Sequence, residues 1–103
     1  MVKVSVLYPN QPGSKFNIDY YCEKHIPMVR EKLGSACKQM AVEYGIAGIE
    51  PGSAPAYIAM GHIYCDSTEA FQAAFARHAQ QIMGDIPNYT DIEPTIQISE
   101  VKI

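Results

Sequence analysis

Residues 56–65, AYIAMGHIYC, constrain the fold of this chain more than any other stretch. Ile58, Met60 and Tyr64 fall on one face of an extended chain, and Tyr57, Ala59 and Ile63 on the other. Only His62 breaks the run. A strand apolar on both faces belongs in the middle of a sheet, with cover on both sides. Neighbouring strands must therefore pair with both of its edges, and something must pack on each of its faces.

Three further segments alternate with period two. Residues 2–8 place Val2, Val4, Val6 and Tyr8 opposite Lys3, Ser5 and Leu7. Residues 36–48 place Met40, Val42, Tyr44 and Ile46 opposite Gln39, Ala41, Glu43 and Gly45, a strand with one wetter face or near an edge. Residues 95–103, TIQISEVKI, alternate until a slip near Glu100 that predicts a bulge. Breaker-rich segments PNQPGSK, IEPGSAP and GDIPNYTDIEP read as loops. With two helical stretches between the strands, the order is βαββαβ. Right-handed crossovers turn this order into an α+β, ferredoxin-like fold. It has a four-stranded antiparallel sheet with both helices on one face, expected as a single domain over 1–103. The other sheet face is then bare, although residues 56–65 are apolar there too. A second copy, sheet packed on sheet in a symmetric homodimer, is the economical cover.

The first helical stretch spans residues 16–34, FNIDYYCEKHIPMVREKLG. Asn17 can cap it, Asp19 puts negative charge near the positive end of the dipole, and Phe16 with Tyr21 can form a hydrophobic staple. Gly34 suits the position just past its end. Ile18, Tyr21, Cys22, Val29 and Leu33 recur at helical spacing along one side, and His25 lies within that stripe. Pro27 has no N–H for the Glu23 carbonyl, so the helix must kink after His25 or restart at Pro27. A bent backbone therefore accompanies an inward-facing imidazole. The second helix, opened by Asp66-Ser67-Thr68-Glu69, puts Phe71, Ala74, Phe75, His78 and Ile82 on its inner stripe. His78 there reads as structural.

The chain of 103 residues is 48% hydrophobic and 18% charged, with a net charge of −3. A nucleic-acid or anionic-membrane surface is not expected, because no basic run exists to neutralise phosphates. Neither a membrane span of about 20 apolar residues nor a signal-peptide pattern is present. Cys22, Cys37 and Cys65 are odd in number and scattered, which suits free thiols in a reducing, cytoplasmic setting. Cys22 and His25 share a helix face, yet no third and fourth ligands follow at metal-site spacing, so neither metal nor cofactor is expected. Cys22 reads more simply as a small buried residue. No Gly-rich phosphate loop precedes a helix.

The segments FNIDYYCEKHIPMV, FQAAFARHAQQIMGDIPNYTDIEP and TIQISEV resemble the EthD family, covering essentially the whole chain. The resemblance rests most firmly on Tyr20, Tyr21, His25 and Pro27 together with Asp85, Ile86, Pro87, Tyr89 and Thr90. EthD proteins are small dimeric α+β barrels named for a component of an ethyl tert-butyl ether degradation system. The resemblance implies that fold and a link to oxidative catabolism and oxidoreductase or polyketide-type chemistry. The wider group holds cofactor-free monooxygenases, lactone isomerases and haem proteins, so the fold does not choose the reaction.

Acid–base chemistry on a small hydrophobic metabolite is the functional expectation. His25 has an ordinary pKa suited to proton transfer near neutrality, and Asp85 can orient it or act alone. The two are the candidate catalytic residues. Tyr21, Tyr64 and Met28 are the candidate substrate-binding residues: the tyrosines can orient a ligand oxygen and the methionine softens a pocket wall. Two functions follow from this reading. One is an enzyme of lyase, isomerase or cofactor-independent oxygenase type, with a pocket between helix and sheet. The other is a non-catalytic accessory protein that binds a hydrophobic metabolite. A carboxylate on His25 beside a dead-end pocket favours the first, and a dry, filled interior the second.

Overall fold

The computed structural model describes all of residues 1–103. Four antiparallel strands form one sheet of order β2-β3-β1-β4. They are β1 (Val2–Pro9), β2 (Gln39–Tyr44), β3 (Tyr57–Cys65) and β4 (Thr95–Glu100). The doubly apolar segment is central, as its pattern requires. In register, Val4 stands between Ile63 and Ile98, and Val6 between Gly61 and Ile96. This parity turns Val4, Val6, Tyr8, Ala59 and Ile63 toward the helices. At the end of β4 the pairing stops at Glu100, and the Val101 N–H donates to the Met1 carbonyl.

The first crossover is α1 (Ile18–Tyr20), a π-helical turn (Tyr21–His25) and α2 (Ile26–Leu33). Asn17 caps it by accepting the Tyr20 N–H at 3.1 Å. Within the π turn the Ile26 N–H reaches back five residues to the Tyr21 carbonyl, and Pro27 falls in the first turn of α2. Tyr20, Tyr21, His25 and Ile26 all keep right-handed helical angles, so the helix neither stops nor restarts: the expected defect takes the form of the widened turn before Pro27, which has no N–H to donate. The wide turn also corrects the helical stripe. Tyr21, His25, Val29 and Leu33 are buried, whereas Cys22 is exposed, because the residue after Tyr21 swings outward.

The second crossover is α3 (Thr68–Ala76) followed by α4 (Ala79–Gly84). Ser67 caps α3, its hydroxyl oxygen accepting the Ala70 N–H at 3.1 Å. One continuous helix does not form: His78 leaves helical geometry at φ −128° and ψ 10° and starts α4.

The core falls into two clusters. One is mainly aliphatic, around Val4, Val29, Leu33, Ile63 and Ile82 with Phe71; the other is mainly aromatic, around Tyr8, Tyr21 and Tyr89. The face away from the helices differs from expectation. Met60 and Tyr64 of β3 do lie there, but the neighbouring strands add Lys3, Ser5, Gln39, Glu43, Gln97 and Ser99. His62 is buried among them, with Nδ1 3.0 Å from Ser5 Oγ and Nε2 3.2 Å from Glu43 Oε1. The face is mixed rather than apolar, because its composition is set by four strands and not by β3 alone.

Candidate acid–base site

The aromatic cluster lies where the π turn meets the loop after α4. Phe16 bridges to Thr90, the Asn17 N–H donates to the Tyr89 carbonyl at 2.8 Å, and the Lys15 N–H donates to Asp91 Oδ1 at 2.8 Å. These bonds clamp residues 85–91 against the start of the first helix. A short 3₁₀ turn (Ile86–Asn88) then sets Asp85 opposite His25.

His25 Nδ1 lies 2.9 Å from Asp85 Oδ2, although the residues are 60 apart in the chain. Asp85 Oδ1 accepts two more hydrogen bonds, from the Tyr20 hydroxyl at 2.8 Å and from Asn88 Nδ2 at 2.9 Å. Partial burial pushes the Asp85 carboxyl upward. The bonds from Asn88, His25 and Tyr20 outweigh it, and the group sits below its ordinary range. Asp85 is thus a carboxylate at neutral pH and can only accept. In the neutral ring, the His25 proton must then reside on Nδ1 and the lone pair on Nε2.

Burial holds the His25 pKa below 6.5, against the opposing pull of Asp85. Its ring stacks on Tyr21, with centroids 5.5 Å apart and planes 15° apart, and Tyr89 approaches to 4.7 Å. Tyr21 and Tyr89 are themselves 5.0 Å apart, so the two rings support the imidazole from adjacent directions. Every fully buried side-chain nitrogen and oxygen has a hydrogen-bond partner. His25 Nε2 has none within the chain, so this atom opens onto accessible space.

His25 and Tyr21 also border a cavity of about 110 Å³ between the sheet and the helices. Fourteen of its 17 lining residues are hydrophobic, so an oxygen function on a ligand would find few partners besides His25 and Tyr21. The volume is below the roughly 150 Å³ of an engineered cavity that holds benzene. Met83 and Ile96 line the cavity yet are 41% and 47% exposed, which marks its mouth. The Tyr21 hydroxyl donates toward the Tyr8 hydroxyl and lies over the backbone of Gly61. Burial first, and the nearby Tyr8 hydroxyl second, hold its pKa far above the ordinary phenol value. Tyr21 is therefore a donor and not a base. The Tyr8 and Tyr89 hydroxyls satisfy each other at 2.6 Å.

The structure thus brings His25, Asp85 and Tyr21 together. It places Tyr64 on the opposite sheet face, since it shares parity with His62 and Met60. Met28 packs against the aliphatic cluster and borders an outer groove with Tyr20, Lys24 and Asp85. Tyr20 and Asn88 complete the grip on Asp85, which sequence reasoning did not assign to them. Their signal is local: Asn88 follows Asp85 by three residues in a Pro-containing turn, and Tyr20 precedes His25 by one π-helical turn. Cys22 points away from His25, and no group of three or more His, Cys, Asp or Glu is arranged to hold a metal ion.

Comparison with known proteins adds identity to this geometry. The family model of the EthD domain matches residues 15–93. No curated protein matches the chain. Among solved structures, an EthD-like protein of Ralstonia eutropha JMP134 is 51% identical with a TM-score of 0.96, the match covering 99% of this chain and 92% of that one. An EthD family protein of Bacillus halodurans C-125 is 22% identical, with a TM-score of 0.67 and 99% of each chain covered. HapK of Hahella chejuensis is 10% identical, with a TM-score of 0.60 over 99% of this chain and 93% of that one. The last two likenesses speak to the fold alone. The matched residues include the π turn bearing His25 and the loop bearing Asp85, and on that match the chain belongs to the EthD family.

Proposed function

We propose that this EthD protein, acting as one domain and as a homodimer, binds a small hydrophobic metabolite and moves a proton on it. His25 Nε2 is the base, Asp85 orients the ring, and the Tyr21 hydroxyl donates to a ligand oxygen. The observation that carries the reading is the state of His25. One nitrogen is held by an ionised carboxylate, the other has no partner within the chain, and the residue lines an apolar cavity. A carboxylate on the histidine beside a cavity favours this enzyme over a purely accessory role. Its three free cysteines support a reducing, cytoplasmic setting.

The chemistry follows from the parts. A proton on the carbon next to a ligand carbonyl passes to the Nε2 lone pair, and the C–H electron pair delocalises onto the carbonyl oxygen. The imidazolium so formed is stabilised by Asp85, and the developing oxyanion by the Tyr21 hydroxyl. Lyases, isomerases and cofactor-independent oxygenases share this opening step. The low His25 pKa keeps the base unprotonated at neutral pH. An apolar wall leaves few competing hydrogen bonds, so the two polar groups select the ligand's orientation.

The test is exchange of solvent deuterium into small ketones and lactones, followed by NMR. The wild type should catalyse exchange with an acid limb whose midpoint lies below 6.5, and His25→Gln should abolish it. Asp85→Asn should lower the rate and shift that limb further toward acid, since the partner favouring imidazolium is gone. Binding of these compounds with no exchange in the wild type would replace the enzyme by the accessory reading.

A further inference from the structure

The loop between β2 and β3 carries two isoleucines with nothing to cover them. Ile46 is 92% exposed and Ile49 98%. The loop itself is tightly built. The Gly45 N–H donates to the Ile58 carbonyl at 2.8 Å, the Gly48 N–H to the Ser53 carbonyl at 3.0 Å, and Asn10 Nδ2 to the Pro55 carbonyl at 3.0 Å. A Cβ on Gly45 would overlap the Tyr57 carbonyl, and one on Gly48 the Ser53 hydroxyl. An ordered arm holding two bare isoleucines presents apolar side chains that an apolar partner would cover.

The same chain offers one. On the opposite edge strand, Ile96 and Ile98 are exposed on the helix side of the sheet, and Met83 and Ile96 form the cavity mouth. Symmetry brings arm and mouth together. β2 and β4 lie at opposite edges and run in opposite directions. Two sheets packed face to face about a two-fold axis parallel to the strands set β2 beside β4 of the partner, antiparallel. Tyr44 pairs with Ala59, itself opposite Tyr8, and Thr95 pairs with Leu7. The end of β2 and the start of β4 are therefore at the same end of the sheet, and Tyr44 and Ile96 are both on its helix side.

Area argues the same way. Four strands about 4.8 Å apart and about seven residues long present a face of roughly 450 Å². A standard interface buries about 800 Å² of accessible surface from each partner. The face is mixed in polarity, so the sheet alone is short of apolar drive. Apolar side chains at the edges and on the arm add drive and area.

We infer that each subunit's 45–56 arm closes the partner's cavity, Ile46 and Ile49 packing on Met83 and Ile96 of the partner subunit. This rests on the proposed cavity site and on the homodimer, and adds that the site is incomplete in one chain. The partner's isoleucines then exclude water from the outer end of the cavity and limit the length of a ligand whose inner end reaches His25.

The experiment pairs three readouts, none of which uses activity. Ile46→Asp with Ile49→Asp alters only exposed side chains of the single chain. This variant should weaken the dimer at least tenfold in light scattering across a dilution series. Its Met83 methyl resonance, in ¹³C-methyl-methionine protein, should shift toward that of a solvent-exposed methionine. In a Cys22→Ser background, Ile46→Cys protein mixed with Ile96→Cys protein should form a mixed disulfide under mild oxidation. A wild type monomeric at micromolar concentration would overturn the inference. So would a double variant that keeps both the dimer and its Met83 resonance, or a disulfide formed by Ile46→Cys protein alone, which places β2 against β2. His25→Gln should behave as wild type throughout, so failure of the arm and failure of the base chemistry are separable.

Discussion

Gly61 is the position where a single methyl group should disturb the site most informatively. It sits in the middle of β3 with an ordinary strand conformation, so its backbone angles do not call for glycine. The reason is above it: a Cβ would overlap the Tyr21 hydroxyl oxygen, while lying 3.4 and 3.8 Å from Cζ and Cε2 of the same ring. Tyr21 is only 2% exposed and has Phe16 at 5.2 Å, Tyr8 at 5.7 Å and Tyr89 at 5.0 Å between centroids, so the ring has little room to retreat. Overpacking of this kind costs about 1–3 kcal/mol. Removing a strand glycine returns about 0.5–1 kcal/mol. Gly61→Ala should therefore destabilise by a net of roughly 0.5–2 kcal/mol. In a Tyr21→Phe background the overlapping oxygen is gone and the remaining ring distances are close to ordinary contact. There the same change should be neutral or stabilising by up to about 1 kcal/mol. The double-mutant cycle, measured by urea unfolding at a common m-value, should give a coupling of about 1–3 kcal/mol. An equal effect of Gly61→Ala in both backgrounds would refute the overlap as the cause.

Acid should weaken the fold through both members of the ion pair. The folded pKa of His25 lies below its unfolded value of about 6.5, so the unfolded chain binds the proton first and stability falls as pH drops below that value. Asp85, also lowered when folded, adds a second loss below about 3.9. Urea titrations between pH 8 and 5 should show a slope of up to about 1.4 kcal/mol per pH unit from His25, absent in His25→Gln. Stability rising toward pH 5 in the wild type would contradict the burial argument. Pro27→Ala tests what holds the π turn. With Tyr21 and His25 buried on either end of that turn and Pro27 in the first turn of α2, the substitution should change stability by no more than about 1 kcal/mol. A gain near the roughly 3 kcal/mol of an interior proline would make Pro27 its cause.

The strand and helix order, the central place of residues 57–65, the inward face of His25 and a helical irregularity beside Pro27 were all legible in the sequence. Each rests on local physics: side-chain periodicity and a proline without an N–H act within a few residues of their own position. The π turn that hides Tyr21 and His25 while exposing Cys22 was not legible, because its hydrogen bonds answer to packing on both sides. Nor was the separation of Tyr21 from Tyr64. Strand parity puts Tyr64 on one face or the other, but only pairing and crossover decide which face receives helices. The mixed character of the bare face was likewise hidden, since three other strands contribute to it. Asp85 was a candidate by residue type, yet its grip by His25, Tyr20 and Asn88 depends on a loop clamped from Lys15 to Asp91. Periodicity along a chain fixes which side chains share a face. Contact between segments 60 residues apart depends on how the faces meet, and tertiary structure alone sets that.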